Sequence, residues 1–244
     1  MGMAIAIDGP AGAGKSTIAK LVAKKKQWIY VDTGAMYRAF ALYYLRKGVD
    51  PDNEAQIAAQ ADGADIRISY KDGAQVVTLN GEDVTGLLRT EEVGNAASKV
   101  SRVGEVRRKL VELQRKLAED ADVVMDGRDI GTAVLPNAQV KIYLTADAHV
   151  RALRRYRELA EKKLEADKAT AGEKKETDKA ATGEIDEAAL AKIEADIIER
   201  DRQDMTRAIS PLTQAKDAVY LDSSALTIDE GVEKILSVCG EKTA

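Results

Sequence analysis

The chain has 244 residues, 45% of them hydrophobic, which is enough to bury one substantial core, so we expect a single domain over residues 1–244. The formal net charge of -4 argues against nucleic acid or an anionic membrane surface as a partner, because both call for a net basic face. A single cysteine, Cys239, excludes a disulfide framework and a cysteine-based zinc set, and we interpret it as a buried small hydrophobe.

The N-terminus predicts a first strand rather than a targeting segment. The opening MGMAIAIDG is a short apolar run without a basic leader, and the sequence contains no run of about 20 apolar residues that could span a membrane. We therefore expect a cytoplasmic protein that binds no membrane, and we expect it to be a monomer.

Five short apolar runs alternate with segments of helical length, which is typical of a parallel sheet in an α/β protein. The predicted strands are residues 4–7, 28–31, 123–125, 140–144 and 219–221. Ligands of such sheets bind beyond the carboxyl ends of the strands. We therefore expect the charged clusters that follow these runs to line one site.

The first predicted strand leads into a phosphate-binding loop. Residues 9–16, GPAGAGKS, match G-x-x-x-x-G-K-[ST] between a strand and a helix, the context that this motif requires. Its backbone N–H groups can converge on a phosphate at the helix N-terminus. We expect Lys15 to reach the β- and γ-phosphates and Ser16 to ligate Mg²⁺. The residues predicted to bind ATP here are Gly9, Pro10, Ala11, Gly12, Ala13, Gly14, Lys15, Ser16 and Thr17.

Two stretches interrupt the alternation of strands and helices. Within residues 62–90, the segment 66–84 predicts a small antiparallel insertion, because KDGA and NGED supply turns between β-patterned runs. Within residues 150–207, a tract near 164–185 is too polar to bury the area that would offset its ordering entropy, so we expect it to be mobile between flanking helices. A solvated linker and a moving lid both remain open, and flanking arginines favour the lid.

Polar clusters after the later strands predict a second anionic ligand. Thr33, a candidate helix N-cap, and Arg38 follow the second strand, and Arg128 follows the third. A third cluster has spacings of four and three, which place it on one helical face: Arg200, Asp204 and Arg207. Taken alone it could be a salt-bridged surface helix. Together the clusters hold more arginines than one triphosphate needs, so we expect an acceptor that carries its own phosphate.

A phosphorylated acceptor also indicates the mechanism. A phosphate monoester has a second pKa of about 6 and is mainly dianionic at pH 7, so it can attack without a general base. The sequence has no evident base, since we expect its only histidine, His149, to have a structural or surface role. Catalysis would then consist of positioning and charge neutralisation.

In their order along the chain, these pieces resemble the bacterial cytidylate kinases, a family of the nucleoside monophosphate kinase group. The matching segments are AIDGPAGAGKST, VDTGAMYR, LLRTEEVGNAASKVS, VVMDGRDIGTAVLPNAQVKIYLTA, ERDRQDMTRAISPL and AVYLDSS. The resemblance implies a three-layer α/β P-loop kinase with a five-stranded parallel sheet, a small antiparallel β insertion and a helical lid. It further implies transfer of the γ-phosphoryl group of ATP to CMP or dCMP with Mg²⁺. The lid tract is about twenty residues longer than is usual in the family.

The resemblance also implies a role for each matched residue. Those implied to contact cytosine are Thr33, Arg107 and Asp129. Those implied to hold the acceptor phosphate are Arg38, Arg128 and Arg207, and those implied to contact ribose are Arg200 and Asp204. Lid arginines implied to close over the ATP phosphates are Arg151, Arg154 and Arg155. The residues expected to be catalytic are Lys15, Arg128, Arg155 and Arg207.

The chemistry of cytosine supports Asp129 as a base-reading residue independently of the resemblance. The N4 amino group of cytosine can donate to a carboxylate, and its N3 and O2 atoms can accept from an arginine. Uracil places a carbonyl oxygen where cytosine has the amino group, so a carboxylate there would face a like partner. Arg107 falls within a helical pattern over residues 103–117, and a solvated helix arginine remains a second interpretation of it.

Two other functions stay open at this point. One is a kinase for UMP or another small phosphorylated acceptor. The other is a phosphate-loop switch or scaffold that hydrolyses nucleotide slowly while its charged insertion recruits a partner, although a switch needs no second set of arginines. Asp126 is expected either to lie near Mg²⁺ or to order the phosphate loop.

Overall fold

The computed structural model describes residues 2–169 and 185–243. The strands are β1 (Ala4–Asp8), β2 (Ile29–Asp32), β3 (Ile66–Lys71), β4 (Ala74–Leu79), β5 (Glu82–Asp83), β6 (Val123–Gly127), β7 (Val140–Thr145) and β8 (Val219–Asp222). The α-helices are α1 (Lys15–Lys26), α2 (Thr33–Arg46), α3 (Glu54–Gln60), α4 (Glu91–Val100), α5 (Gly104–Asp120), α6 (Ala148–Ala169), α7 (Glu187–Thr206) and α8 (Ile228–Thr243). None of the helices in this part of the chain is long and apolar enough to cross a membrane.

The main sheet has five parallel strands in the order β2–β6–β1–β7–β8, which confirms the predicted sheet and each of its five strands. Alternate residues of the central strand face opposite layers, as the two-residue period of a strand requires. Ile5 and Ile7 pack with α1 and α8, whereas Ala4 and Ala6 belong to the core that includes α2, α4 and α5. Helices thus cover both faces, and the three-layer prediction is confirmed.

The predicted insertion is a separate antiparallel sheet in the order β3–β4–β5. Its buried residues, among them Val77 and Leu79, join the core around α2. Gln75 on β4 fastens it to the main sheet: its Oε1 accepts from the N–H of Asp32 at 2.9 Å, and its Nε2 donates to the carbonyl of Asp32 at 3.2 Å. The insertion therefore lies against the carboxyl end of β2.

Helices α6 and α7 flank the charged tract and pack on one another through Ala152, Leu190 and Ile197. Most of the tract predicted to be mobile, near 164–185, lies outside the described residues. His149 is exposed and pairs with Glu194 at 2.8 Å across the two helices, and that hydrogen bond raises the histidine pKa, so the expected surface role is confirmed. Cys239 is buried, as expected.

Candidate active site

Carboxylates end three adjacent strands at one edge of the main sheet. The strand register places Asp126 of β6 opposite Ile7 of β1 and Asp32 of β2, and it places Asp8 opposite Gly127. Asp8 and Asp126 are buried. Buried carboxylates are costly unless they are paired or hydrogen-bonded, so each must hold another group of the site in place.

The phosphate-binding loop crosses this edge between β1 and α1. Gly9 has φ +148°, and a Cβ atom there would lie 1.9 Å from the carbonyl oxygen of Leu144, so only glycine fits. Gly14 is the N-cap residue of α1; among the described side chains none caps this helix, and its first turn has no acidic residue. Its first N–H groups can therefore serve an anion.

Lys15 is buried and is held by the loop itself. Its Nζ donates to the carbonyl of Pro10 at 2.7 Å. Burial, and after it the neighbouring positive charge of Arg128, lower its pKa to about 7, although nearby carboxylates act in the opposite direction. The direct hydrogen-bond partner is a neutral carbonyl, so an anionic phosphate at this place would favour the charged form of the lysine.

Ser16 and Asp126 form the part of the site that fits a divalent cation. The Ser16 hydroxyl donates to Asp126 Oδ2 at 2.7 Å, and the Tyr30 hydroxyl donates to Asp126 Oδ1 at 2.7 Å. Mg²⁺ prefers oxygen ligands and is usually held by one or two protein groups together with water and substrate phosphates. Ser16 and Asp126 supply two such oxygen groups. Within the described residues no three His, Cys, Asp or Glu side chains form a metal cluster. Its hydrogen bond to Ser16 also makes Asp126 an anchor of the phosphate loop.

Asp129 holds two buried arginines from different helical segments. Arg107 of α5 forms an ion pair with Asp129 Oδ2 and donates to the carbonyl of Ser101 at 3.2 Å. Arg207, just after α7, donates to Asp129 Oδ1 at 3.3 Å. Only 3% of Arg107 is exposed, so the interpretation as a solvated helix arginine is wrong. Burial and the charge of Arg107 lower the pKa of Arg207.

Three more arginines adjoin these residues. Arg38 pairs with Asp32 at 3.1 Å and Arg128 pairs with Asp204 at 2.7 Å. Arg200 interacts with Arg128 and Asp204; burial lowers its pKa, and the charge of Arg128 adds to that effect. Among the described residues, no hydrogen-bond partner is available to the buried Nε atoms of Arg38 and Arg200. Both atoms are donors that a ligand could satisfy.

The charges of this group do not balance. It contains five arginines, Arg38, Arg107, Arg128, Arg200 and Arg207, against three carboxylates, Asp32, Asp129 and Asp204. Of the neighbouring carboxylates, Asp201 pairs with Arg151, whereas Asp126, whose charge acts on Arg128, also acts on Lys15. Arginines thus outnumber carboxylates in the group, and an anionic phosphate monoester would offset the excess positive charge.

The helix cap beside this group differs from the prediction. Asp32, not Thr33, is the N-cap residue of α2, and its side chain accepts from the N–H of Ala35 at 2.8 Å. Thr33 begins the helix, and its buried hydroxyl donates to the carbonyl of Asp126 at 2.7 Å. The prediction of Thr33 as the cap was wrong because Asp and Thr are both good caps and α2 begins at Thr33 itself, one residue earlier than that prediction required.

Arg151 joins the helix pair α6 and α7 to the phosphate loop. Its guanidinium donates to the carbonyl of Ala11 at 3.0 Å and to the carbonyl of Ala146 at 2.8 Å, and it pairs with Asp201 of α7 at 2.7 Å. The structure brings this predicted lid arginine to the loop, but to its backbone carbonyl oxygens.

The other two predicted lid arginines are placed differently. Arg154 donates to the carbonyl of Ser223 at 2.6 Å, and the Ser223 hydroxyl in turn donates to the carbonyl of Ala13 at 3.1 Å. Arg155 pairs with Glu158 at 2.9 Å on the same helix, and 40% of its side chain is exposed. Arg154 therefore contacts the loop indirectly, through Ser223. Arg155 makes no such link to the site residues described above.

Sequence reasoning missed several groups that hold the site together. Asp8 accepts hydrogen bonds from the turn after Asp129, Asp201 orients Arg151, and the Tyr37 ring lies against the Arg107 guanidinium, 5.6 Å from its centroid. The signal for Asp8 was present, because an acid that ends a buried strand needs a partner. The partners of Asp201 and Tyr37 depend on packing between distant elements.

Comparison with known proteins adds an independent finding. The family model described as cytidylate kinase matches residues 5–182 and 173–241. The chain is 45% identical to a cytidylate kinase of Caldicellulosiruptor bescii, with 96% of this chain and 94% of the relative covered. It is 47% identical to a cytidylate kinase of Solibacter usitatus (96% and 90% covered) and 43% identical to one of Bacillus subtilis (99% and 98% covered).

A solved shikimate kinase from Bacteroides thetaiotaomicron superposes with a TM-score of 0.45 at 13% identity, over 98% of both chains. The fold assignment depends on the strand order given above and not on this likeness.

Proposed function

The chain belongs to the cytidylate kinase family, and from that premise we propose that it transfers the γ-phosphoryl group of ATP to CMP or dCMP, giving ADP and CDP or dCDP. The observation that carries the proposal is the unbalanced arginine group beside the phosphate loop. Arg128 of that group is close enough to Lys15 for its charge to lower the lysine pKa. The nearness of Arg128 to Lys15 supports neighbouring sites for a triphosphate and for a second phosphate.

The donor side would hold ATP through backbone N–H groups and one lysine. N–H groups of the loop and of the first turn of α1 would bind the phosphates, and Lys15 would exchange the carbonyl of Pro10 for a phosphate oxygen. Mg²⁺, held through Ser16 and Asp126, would neutralise charge on the phosphates of the nucleotide.

The acceptor side would hold the phosphate of CMP in line with the γ-phosphorus atom. Arg38 and Arg200 have free Nε donors, and Arg128 and Arg207 would add positive charge. An oxygen of the dianionic CMP phosphate attacks the γ-phosphorus, and the bond from that phosphorus to the β–γ bridging oxygen breaks, so ADP leaves with the electron pair. No proton has to be removed from the nucleophile, so no general base is required.

Asp129 and Arg107 would read the base. Their own ion pair fixes both side chains, and a carboxylate has lone pairs left to accept from the N4 amino group of cytosine. Arginine N–H groups would satisfy the acceptors of cytosine at O2 and N3. The Tyr37 ring lies against Arg107, and the Thr33 hydroxyl donates to the carbonyl of Asp126, three residues before Asp129. Both side chains would shape this pocket.

Residues 150–207 would act as the lid, and residues 62–90 as the monophosphate-side insertion. Arg151, Arg154 and Arg155 would exchange their present partners for phosphate oxygens when the lid closes, which would exclude water from the γ-phosphoryl group. We further propose that the enzyme is a cytoplasmic monomer, which light scattering on the purified chain would test.

The experiment that tests the proposed function is an acceptor panel. Coupled ADP release is measured with CMP, dCMP, UMP and AMP at matched concentrations. We expect CMP and dCMP to be preferred over UMP and AMP by at least about tenfold in kcat/KM, since a wrong base leaves buried polar groups unpaired. Equal rates with CMP and UMP would overturn the assignment of Asp129 and would favour a kinase of broader specificity.

A further inference from the structure

We propose that Asp8 is a positioning residue for acceptor selection: by capping the turn after Asp129 from another strand, it keeps the Asp129 carboxylate free for Arg107, Arg207 and the base. The inference rests on the proposed function, because it names a further residue on which the choice of CMP depends. Asp8 itself touches neither substrate in this account and acts only through the backbone.

The geometry links two loops through one carboxylate. Asp8 is the last residue of β1, directly before Gly9 of the phosphate loop. Its Oδ1 accepts from the N–H of Ile130 and its Oδ2 from the N–H of Gly131, both at 2.7 Å. These N–H groups open the π-helical turn Ile130–Val134, which follows Asp129 immediately. The phosphate loop and the base-reading loop are therefore fixed to each other at this point.

Asp129 occupies the N-cap position of that turn and yet its side chain does not cap it. Aspartate is among the most favoured N-cap residues, because its carboxylate can accept from the free N–H groups two or three residues on. Here Asp8 binds the first N–H groups of the turn, and the two Asp129 oxygens go to Arg107 and Arg207. Without Asp8, we expect the Asp129 carboxylate to turn toward the N–H of Gly131, two residues on, as an ordinary N-cap side chain does.

The fit between Asp8 and the turn is close. A Cβ atom added at Gly131 would lie 3.3 Å from Asp8 Oδ2 and 3.2 Å from Lys141 Cδ, so a side chain at this position would press on the contact. Two N–H donors also require two acceptor oxygens. An asparagine would supply one acceptor and turn its own NH₂ group toward the second donor.

The carboxylate is retained against an electrostatic cost. The pKa of Asp8 is raised to about 6, chiefly by burial, even though the two backbone N–H groups act to lower it; the negative charge of Asp129 adds to the rise. A neutral side chain would avoid this cost, so loss of the Asp8 charge need not lower the stability of the fold. Function and stability can therefore be separated experimentally.

The test is Asp8→Asn, compared with Asp122→Asn as a matched control. Asp122 also accepts a backbone N–H beside β1, that of Met3, but at the opposite end of the sheet. For Asp8→Asn we expect the CMP KM to rise about tenfold or more, the CMP-to-UMP ratio of kcat/KM to fall by a similar factor, and the ATP KM to stay within about twofold. Asp122→Asn should leave all three unchanged.

A double-mutant cycle separates this role from a structural one. If Asp8 acts through Asp129, adding Asp8→Asn to Asp129→Asn should lower the CMP-to-UMP ratio no further. Losses of the CMP-to-UMP ratio that add in the double variant would overturn the proposal. So would an Asp8→Asn variant that keeps this ratio unchanged while its ATP KM, its CMP KM and its thermal stability all become worse.

Gly131→Ala, which presses on the same contact without removing the charge, should produce a weaker form of the same CMP-selective defect. It keeps the proposal testable if Asp8→Asn fails to fold, and normal selectivity in Gly131→Ala would then overturn it. Failure of the proposed function would look different, because the unmodified protein itself would then show no preference for CMP.

Discussion

The proposed donor side and the proposed acceptor side of this site are built in opposite ways. The donor side comes from one contiguous loop, residues 9–16, with a single lysine that its own backbone holds. The acceptor side contains arginines from four separate parts of the sequence: α2, α5, the end of β6 and the end of α7. Backbone N–H groups can bind any triphosphate. Side chains that ion pairs hold at several fixed positions can instead select one acceptor.

The two sides also hold their charges differently. The ammonium of Lys15 donates to a neutral carbonyl, but Arg38, Arg107, Arg128 and Arg207 all begin in ion pairs with carboxylates. Removing the lysine removes a charge and leaves no carboxylate without its direct partner. Removing Arg128 leaves the buried carboxylate of Asp204 without its ion-pair partner, which is destabilising. Substitutions on the two sides should therefore separate activity from stability.

The largest effect is expected on the donor side. Lys15→Ala should lower kcat by about 10³-fold or more, because a preorganised charge on the transferred phosphoryl group is lost. The melting temperature should not fall, since burial already disfavours the charged form of this lysine. Coupled ADP release and thermal unfolding check both, with the exposed Lys24→Ala on the same helix as control. Retained turnover in Lys15→Ala would remove the lysine from the mechanism.

On the acceptor side, Arg128→Ala should lose both activity and stability. We expect kcat/KM for CMP to fall about 10²-fold or more and the free energy of unfolding to fall by about 3 kcal/mol, because Asp204 loses its partner. The exposed pair of Arg202 and Glu199 supplies the control, and Arg202→Ala should change stability by no more than about 0.5 kcal/mol. Equal stability losses in the two variants would remove the contrast between the two sides.

A subtler change on the acceptor side should alter selectivity. Asp129→Asn keeps the shape of the side chain but adds a donor, which would face the amino group of cytosine and suit the carbonyl of uracil. We expect the CMP-to-UMP ratio of kcat/KM to fall about tenfold, the range of one lost base contact. Steady-state kinetics with both acceptors measures it. An unchanged ratio would mean that Asp129 only holds Arg107 and Arg207.

The smallest effect is expected from the charged tract. Deleting residues 170–182 should leave kcat within about threefold, because α6 and α7 contact each other and the phosphate loop through Arg151 and Asp201 without it. Kinetics of the deletion variant beside the full chain would test this. A loss of tenfold or more in kcat would show that the tract works in closure of the lid.

The sequence was sufficient for features that depend on local pattern. The five strands, the antiparallel insertion and the phosphate loop each follow from periodicity, turn residues or a contiguous motif. The burial of Arg107 and its pairing with Asp129 could not be derived in that way, since they depend on how α5 packs against the end of β6. Asp8 was missed for the same reason: its partners, the N–H groups of Ile130 and Gly131, lie more than a hundred residues away.

Sequence reasoning was also weak wherever two local solutions were equally good. Asp32 and Thr33 are adjacent cap candidates, and only the end of β2 decides that Asp32 caps α2. Arg155 lies one turn after Arg151 on the same helix, yet Arg155 pairs with Glu158 whereas Arg151 pairs with Asp201 and reaches the phosphate loop. In both cases the residue types indicated the role, a helix cap or a cation near the loop. Tertiary packing decided which of the candidate residues fills that role.

The most direct test follows the fate of the transferred group. The protein is incubated with ATP labelled at the γ-phosphate, together with Mg²⁺ and CMP, and the labelled products are separated. A site with a donor loop beside an arginine-rich acceptor group predicts that the label appears in CDP in proportion to the ADP released. Label found only in inorganic phosphate would contradict the account and would indicate a nucleotide hydrolase or switch instead.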